Sequence, residues 1–303
     1  MEQKYFAFLG GFVMKKAGSF FQSFLPFIFF LAINVVVTII TSIAFTARAM
    51  SSGTIDTNIF TYMDKLASDA NYLQISSMIM GIIVIDLFSI WYRRVFVRPL
   101  RSKPRKYWSG ISFQVIIGLV FLGFGLQYVA QLVANTIGWA FPELMANYTE
   151  LMNTTGYDQM TWILAVYALL LAPIGEELAF RGLTMRFARQ WLPFWAANIF
   201  QAALFGIMHL NIVQGLYAFT MGLFLGWVCK KGHSIKHSII LHIIFNILGT
   251  VFIDFFDVTL ALHDYAFYIV GIALTVFAML IISFEFSDRN KRQKKHYEKV
   301  AEE

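Results

Sequence analysis

An all-α polytopic membrane protein of about eight transmembrane helices, enclosing a polar intramembrane cavity, is the fold class this 303-residue sequence predicts. Three observations carry that expectation. Hydrophobic residues make up 58% of the chain and charged residues only 14%, where soluble domains carry roughly 25% charged residues. Apolar runs long enough to cross a hydrocarbon core of about 30 Å recur along the chain. The basic residues gather in short stretches between those runs, as the positive-inside rule describes. The net charge of +6 therefore reads as membrane orientation and not as a nucleic-acid surface. One cysteine, Cys229, leaves no internal disulfide and no CxxC metal site.

The first span runs from about Phe20 to Phe45. It is too long for a signal-peptide core of roughly 7–15 residues and reads as a retained helix. Residues 46–72 are polar and mildly acidic (Asp56, Asp64, Asp69), with Ser51-Ser52-Gly53 as a turn. Leu73 to Trp91 is the second span, within which Asp86 reads as a packing or helix-end contact. Residues 92–108 hold Arg93, Arg94, Arg98, Arg101, Lys103, Arg105 and Lys106 without an acid, which places that loop in the cytoplasm. The third span runs from Ile111 to about Ala134, and the acidic residues 138–160 then belong outside.

Span four starts near Thr161 and closes with Arg186 and Arg189. Leu192 to Met208 is the fifth, ending at His209, and Gly215 to Cys229 is the sixth. The Gly222-xxx-Gly226 spacing in the sixth lets helices approach closely. After Lys230, Lys231 and Lys236 the seventh span runs from His237 to about Ile253. Asp254, Asp257 and Asp264 face outside, and Tyr265 to Phe284 is the eighth span. A basic tail from Arg289 to Lys299 leaves both termini cytoplasmic. With no repeat or linker, residues 1–303 read as a single membrane domain with a motif-bearing core over 160–255.

That core holds ionisable groups at bilayer depth, where each costs at least about 2.5–3.5 kcal/mol by insertion scales and so points to function. Glu176 and Glu177 are adjacent, and Arg181 follows four residues after Glu177. On a helix Glu177 and Arg181 share a face and can pair, whereas Glu176 is rotated by about 100°. Glu176 is then the carboxylate left for chemistry. The same three residues also suit an ion network that only fixes helix packing. Phe205 and His209 are four apart, as are His242 and Asn246, each pair on one helical face. Polar groups in lipid must find each other or water, which favours convergence of Glu176, His209, His242 and Asn246.

No serine or cysteine is placed as a nucleophile, so acyl-enzyme chemistry lacks its central part. A carboxylate and a histidine can instead orient and deprotonate a water, while a second histidine and an amide N–H stabilise the oxyanion formed on the attacked carbonyl. A competing reading is a zinc site through Glu176, His209 and His242 with one open position. Against it, no HExxH helix is present and Asn246 would have no part. A transporter or a partner-binding scaffold could use the same polar residues as a relay, although the paired half-repeats of many transporters are absent.

The ordered set Glu176-Glu177-xxx-Arg181, Phe205-xxx-His209 and His242-xxx-Asn246 resembles the CAAX-protease and bacteriocin-processing family, also called the Abi or type II CAAX prenyl endopeptidase family. The likeness covers roughly residues 160–255. It implies an eight-helix intramembrane protease in which Glu176 works with His209 on the attacking water and His242 with Asn246 forms the oxyanion hole. It also implies a peptide or protein substrate and no required cofactor; whether that substrate is lipidated or membrane-bound is not encoded in the motifs and does not transfer with them. Straight, full-length spans would hold the three motifs at different depths, Glu176 lying about 22 Å along its helix from Thr161. Convergence therefore requires a fifth helix that is tilted, starts below the membrane, or has other limits.

Overall fold

The computed structural model describes residues 2–53, 58–67, 69–100, 109–154, 161–252 and 265–302. Arg101, Lys103, Arg105 and Lys106, and the acids Asp56, Asp158, Asp254, Asp257 and Asp264, lie outside the described residues. The described chain is helical, with no strand. Helices α1 (Glu2–Ser51), α2 (Ile59–Ala67), α3 (Ala70–Tyr92), α4 (Phe113–Ala140) and α5 (Pro142–Thr154) form the first half. They are followed by α6 (Trp162–Ala188), α7 (Phe194–Met208), α8 (Ile212–Lys231), α9 (Ile235–Val251) and α10 (Tyr265–Glu302).

Among the described residues six helices are long and apolar enough to cross a membrane: α1, α3, α4, α6, α8 and α10. Helices α7 and α9 are apolar but short, at 15 and 17 residues. The eight apolar segments expected from sequence are thus all helical, in a multi-pass membrane architecture. Their bounds are close to those expected: the fifth span, read as Leu192–Met208, is helical over Phe194–Met208, and the seventh, read as His237 to about Ile253, is helical over Ile235–Val251. A 15-residue helix rises about 22 Å, less than the roughly 30 Å of a hydrocarbon core. The polar stretches 46–72 and 138–160 hold two further helices, α2 and α5, while α10 continues through the basic tail.

Helix starts follow local chemistry. Asp69, Ser112, Thr161, Asn211 and Ser234 each accept a hydrogen bond from a backbone N–H in the first turn of the helix that follows, satisfying donors that have no partner inside the helix. At Ser51-Ser52-Gly53, the turn forms with Gly53 at φ 67°, a left-handed conformation that glycine adopts without steric cost.

Two apolar clusters fill the bundle. One gathers Phe88, Phe180, Leu183, Phe187 and Phe205 with Phe30 and Val84, joining α1, α3, α6 and α7. The other gathers Leu119, Leu122, Leu126, Leu225, Leu241, Ala278 and Ile282, joining α4, α8, α9 and α10. Gly222 and Gly226 on α8 face α7: a Cβ at 222 would lie 3.1 Å from Ala202 Cβ, and one at 226 would overlap Asn198 Oδ1. The GxxxG spacing thus serves close packing. Asp86 lies on the exposed side of α3, and Cys229 is buried.

Candidate active site

Glu176 and Glu177 sit between two irregular stretches of α6, the second of which contains Arg181. Ala172 N–H bonds Tyr167 O, five residues back, and Met185 N–H bonds Phe180 O in the same way. Such wide π-type turns inside α-helices recur at functional sites. The first one has a cause in the sequence. Ala168 O would ordinarily receive Ala172 N–H, which goes to Tyr167 instead; in the widened register it would receive the N–H of residue 173, which is proline and has none. Asn246 supplies the missing donor, its Nδ2 lying 2.8 Å from Ala168 O. Asn246 is therefore tied to the backbone of the helix that carries Glu176. On its neighbour, Gln127 of α4 donates to Phe245 O at 2.5 Å, fixing α9 from the other side.

Past Pro173, α3 packs hard against α6. A Cβ on Gly175 would lie 2.7 Å from Val84 Cγ1, so glycine at this position lets the two helices meet. Glu176 follows. Its side chain is 13% exposed, whereas those of Glu177 and Arg181 are 0% exposed, so the two adjacent carboxylates occupy different environments. The i,i+4 spacing of Glu177 and Arg181 makes an ion pair at 2.8 Å. Arg181 also donates to Gly222 O at 3.3 Å and lies 4.4 Å above the Phe205 ring centre. Its charge is thus neutralised by Glu177 and cradled by a carbonyl and an aromatic face, as a buried cation requires.

His242 stands between the two glutamates. Its Nδ1 is 3.0 Å from Glu177 Oε1 and its Nε2 is 3.6 Å from Glu176 Oε2. A carboxylate can only accept, so Nδ1 carries the proton toward Glu177 and Nε2 is turned toward Glu176. The order Arg181–Glu177–His242–Glu176 has the logic of a catalytic triad: a buried acid orients an imidazole whose far nitrogen faces the reacting group.

His209 ends α7. Its Nδ1 is 2.8 Å from Phe205 O; because a carbonyl only accepts, Nδ1 is the donor and the lone pair lies on Nε2. The next residue, Leu210, holds φ at 55°, rare for a residue with a branched side chain, and Asn211 then caps α8. This tight link fixes where His209 stands. Phe205 joins the pieces: its ring centre lies 5.0 Å from that of His209, 5.9 Å from His242 and 5.2 Å from Phe180.

All six residues expected at the site therefore belong to one neighbourhood on the seam of the two clusters. Glu176, Glu177, Arg181 and His242 are in direct contact, His209 is joined through Phe205, and Asn246 is joined through the α6 backbone. The contacts place Glu176 beside His242. Among the described residues no three His, Cys, Asp or Glu side chains form a group that could hold a metal ion. A zinc ion would have to be gripped by Glu176 and by the Nε2 atoms of His209 and His242, since both Nδ1 atoms face other partners. Sequence reasoning missed the structural duty of Pro173 and the contacts of Gln127; a proline and a lone amide inside apolar spans were the available signals.

Residues 158–248 match the family described as Rce1-like, type II CAAX prenyl endopeptidase Rce1-like, and this segment, about a third of the chain, carries that domain. No curated protein and no solved structure gives a match to the chain.

Proposed function

We propose, with an Rce1-like domain over residues 158–248 as the premise, that this protein is an intramembrane endopeptidase that hydrolyses a peptide bond with a glutamate-activated water. The observation that carries this reading is the contrast between the two glutamates: Glu177 is sealed in a pair with Arg181, while Glu176 keeps an exposed edge beside His242. Glu176 takes a proton from water, and the oxygen attacks the substrate carbonyl carbon. His209, with its Nε2 lone pair, holds the water by accepting its second proton in a hydrogen bond. The oxyanion is stabilised by His242 Nε2–H and by the N–H of the Asn246 amide that Ala168 O does not use. The proton on Glu176 then passes to the amide nitrogen as the C–N bond breaks, giving a carboxylic acid and an amine.

The oxyanion role requires the imidazolium form of His242, which donates from both nitrogens. In that form Glu176 is the paired carboxylate and the base at once, so one proton shared between Glu176 and His242 sets both roles. Glu177 and Arg181 act as positioning residues. The substrate is a peptide or protein in or at the bilayer. The basic ends of α3, α6 and α8 face the cytoplasm by the positive-inside rule, which puts both termini on that side.

The test is cleavage of prenylated and unmodified peptides by the purified protein in detergent, with and without a strong chelator. Cleavage that survives chelation supports the water-activating pair. Loss on chelation, restored by zinc, would make Glu176, His209 and His242 metal ligands. Binding of every peptide with cleavage of none would favour a scaffold or transporter that uses the same groups.

A further inference from the structure

A second polar feature lies away from the glutamates. A cavity of about 420 Å³ opens between α1 and α3, with Tyr167 of α6 in its wall and Met63, Leu66 and Ala67 of α2 beside it. Asn34, Thr38 and Ser42 of α1 line it, with Tyr72, Ser76 and Ser77 of α3 opposite. The three α1 residues recur every four positions and so share one helix face. They fall within the apolar span Gly18–Ser51, yet Asn34 and Thr38 are exposed. Polar groups at bilayer depth need partners from protein, water or a ligand. The walls meet part of that need themselves: Ser42 and Tyr72 hydroxyls lie 2.7 Å apart, and Ser76 donates to Thr41 at 2.9 Å.

The character of the lining narrows the occupant. Among the described residues no Lys, Arg, His, Asp or Glu lines the cavity, so an anionic headgroup would meet no cation there. An acyl chain would offer no hydrogen bond to the Asn34 amide on the cavity wall. Neutral donors and acceptors in this number match the N–H and C=O groups of a peptide chain that has left its helix, which hydrocarbon cannot satisfy. The volume falls within the roughly 300–1,000 Å³ of ligand sites. A whole helix, about 10–12 Å across, needs more width, whereas a few residues of extended chain do not.

We propose that this cavity is a subsite that binds an unwound, uncharged segment of a membrane-embedded peptide substrate. The proposal rests on the endopeptidase reading and deepens it. Tyr167 in the cavity wall and Glu176 at the site belong to the same helix, α6.

The experiment is thiol protection at Ser77→Cys in a Cys229→Ala background, reconstituted in lipid nanodiscs and treated with a water-soluble thiol reagent. Two Leu-Ala single-span peptides of about 24 residues serve as probes, one with a Gly-Ser-Gly-Ser insert toward the α2 end and one without. The expected result is reaction of the thiol, slowed severalfold by the insert peptide and not by the plain one, with protection lost on adding Asn34→Leu. An unreactive thiol, equal protection by both peptides, or protection indifferent to Asn34→Leu would overturn the proposal. Thr38→Cys, read in the same way, replaces Ser77→Cys if that variant does not fold. Protection without cleavage of any peptide by the wild-type protein would keep the subsite and remove the endopeptidase reading; cleavage without protection would do the reverse.

Discussion

Arg181 is the largest fully buried side chain in the bundle, and its surroundings explain how a cation survives there. One nitrogen meets Glu177 at 2.8 Å, another meets Gly222 O, and the guanidinium lies over Phe205. Removing one partner of a buried pair leaves the other charge uncompensated and costs about 3–5 kcal/mol, while replacing both with apolar groups is often neutral. Arg181→Met is thus expected to lower the midpoint of thermal unfolding in detergent sharply, and Glu177→Gln with Arg181→Met to recover much of the loss. Equal losses in the single and double variants would mean that the pair is not what holds this region. At Glu176 the expectation differs, because its carboxylate is partly exposed and lies 3.6 Å from His242 Nε2, not in a close pair with a guanidinium. Glu176→Gln keeps the shape and should leave the unfolding midpoint close to that of the wild type.

Among the helices, α6 decides the geometry. Its widened turn leaves Ala168 O to Asn246 because residue 173 is proline. Asn246→Ala is expected to destabilise by about 1–3 kcal/mol, the cost of a buried acceptor left without a donor. Pro173→Ala returns a backbone N–H to that turn, so Asn246→Ala should cost less in its presence, as a double-mutant cycle on chemical stability would show. Likewise, Gly175→Ala is expected to push α3 away from α6 and reduce cleavage, with Val84→Ala restoring it, since the added Cβ would lie 2.7 Å from Val84 Cγ1.

These particulars mark where the sequence was legible. Four-residue spacing foretold the Glu177–Arg181 contact, which holds although Arg181 lies in a widened stretch of the helix, and long apolar runs foretold the spanning helices. The end of α7 at Met208 was legible too, whereas the left-handed conformation of Leu210, φ 55°, in the link that follows was not. Nor was the approach of His242 to both glutamates, which depends on how α9 docks against α6 and leaves no periodic trace.

Over the whole molecule, the site lies on a seam. Phe180 and Phe205 belong to one apolar cluster and Leu241, beside His242, to the other. His242 of α9 meets both glutamates of α6 directly, and His209 at the end of α7 joins them through the Phe205 ring. Alternation of the helices puts the basic ends of α3, α6 and α8 on one side. Reporter tags at the two termini are expected to read the same, cytoplasmic side in intact cells; opposite sides would break that arrangement. The most direct test of the central claim is turnover of a cleaved peptide by Glu176→Gln beside the wild type, at matched unfolding midpoints. Loss of a general base removes about 10²–10⁴-fold in rate, and a drop of that size with the fold retained is the expected result. Turnover within about twofold of wild type would contradict the assignment of Glu176 as the base that activates water.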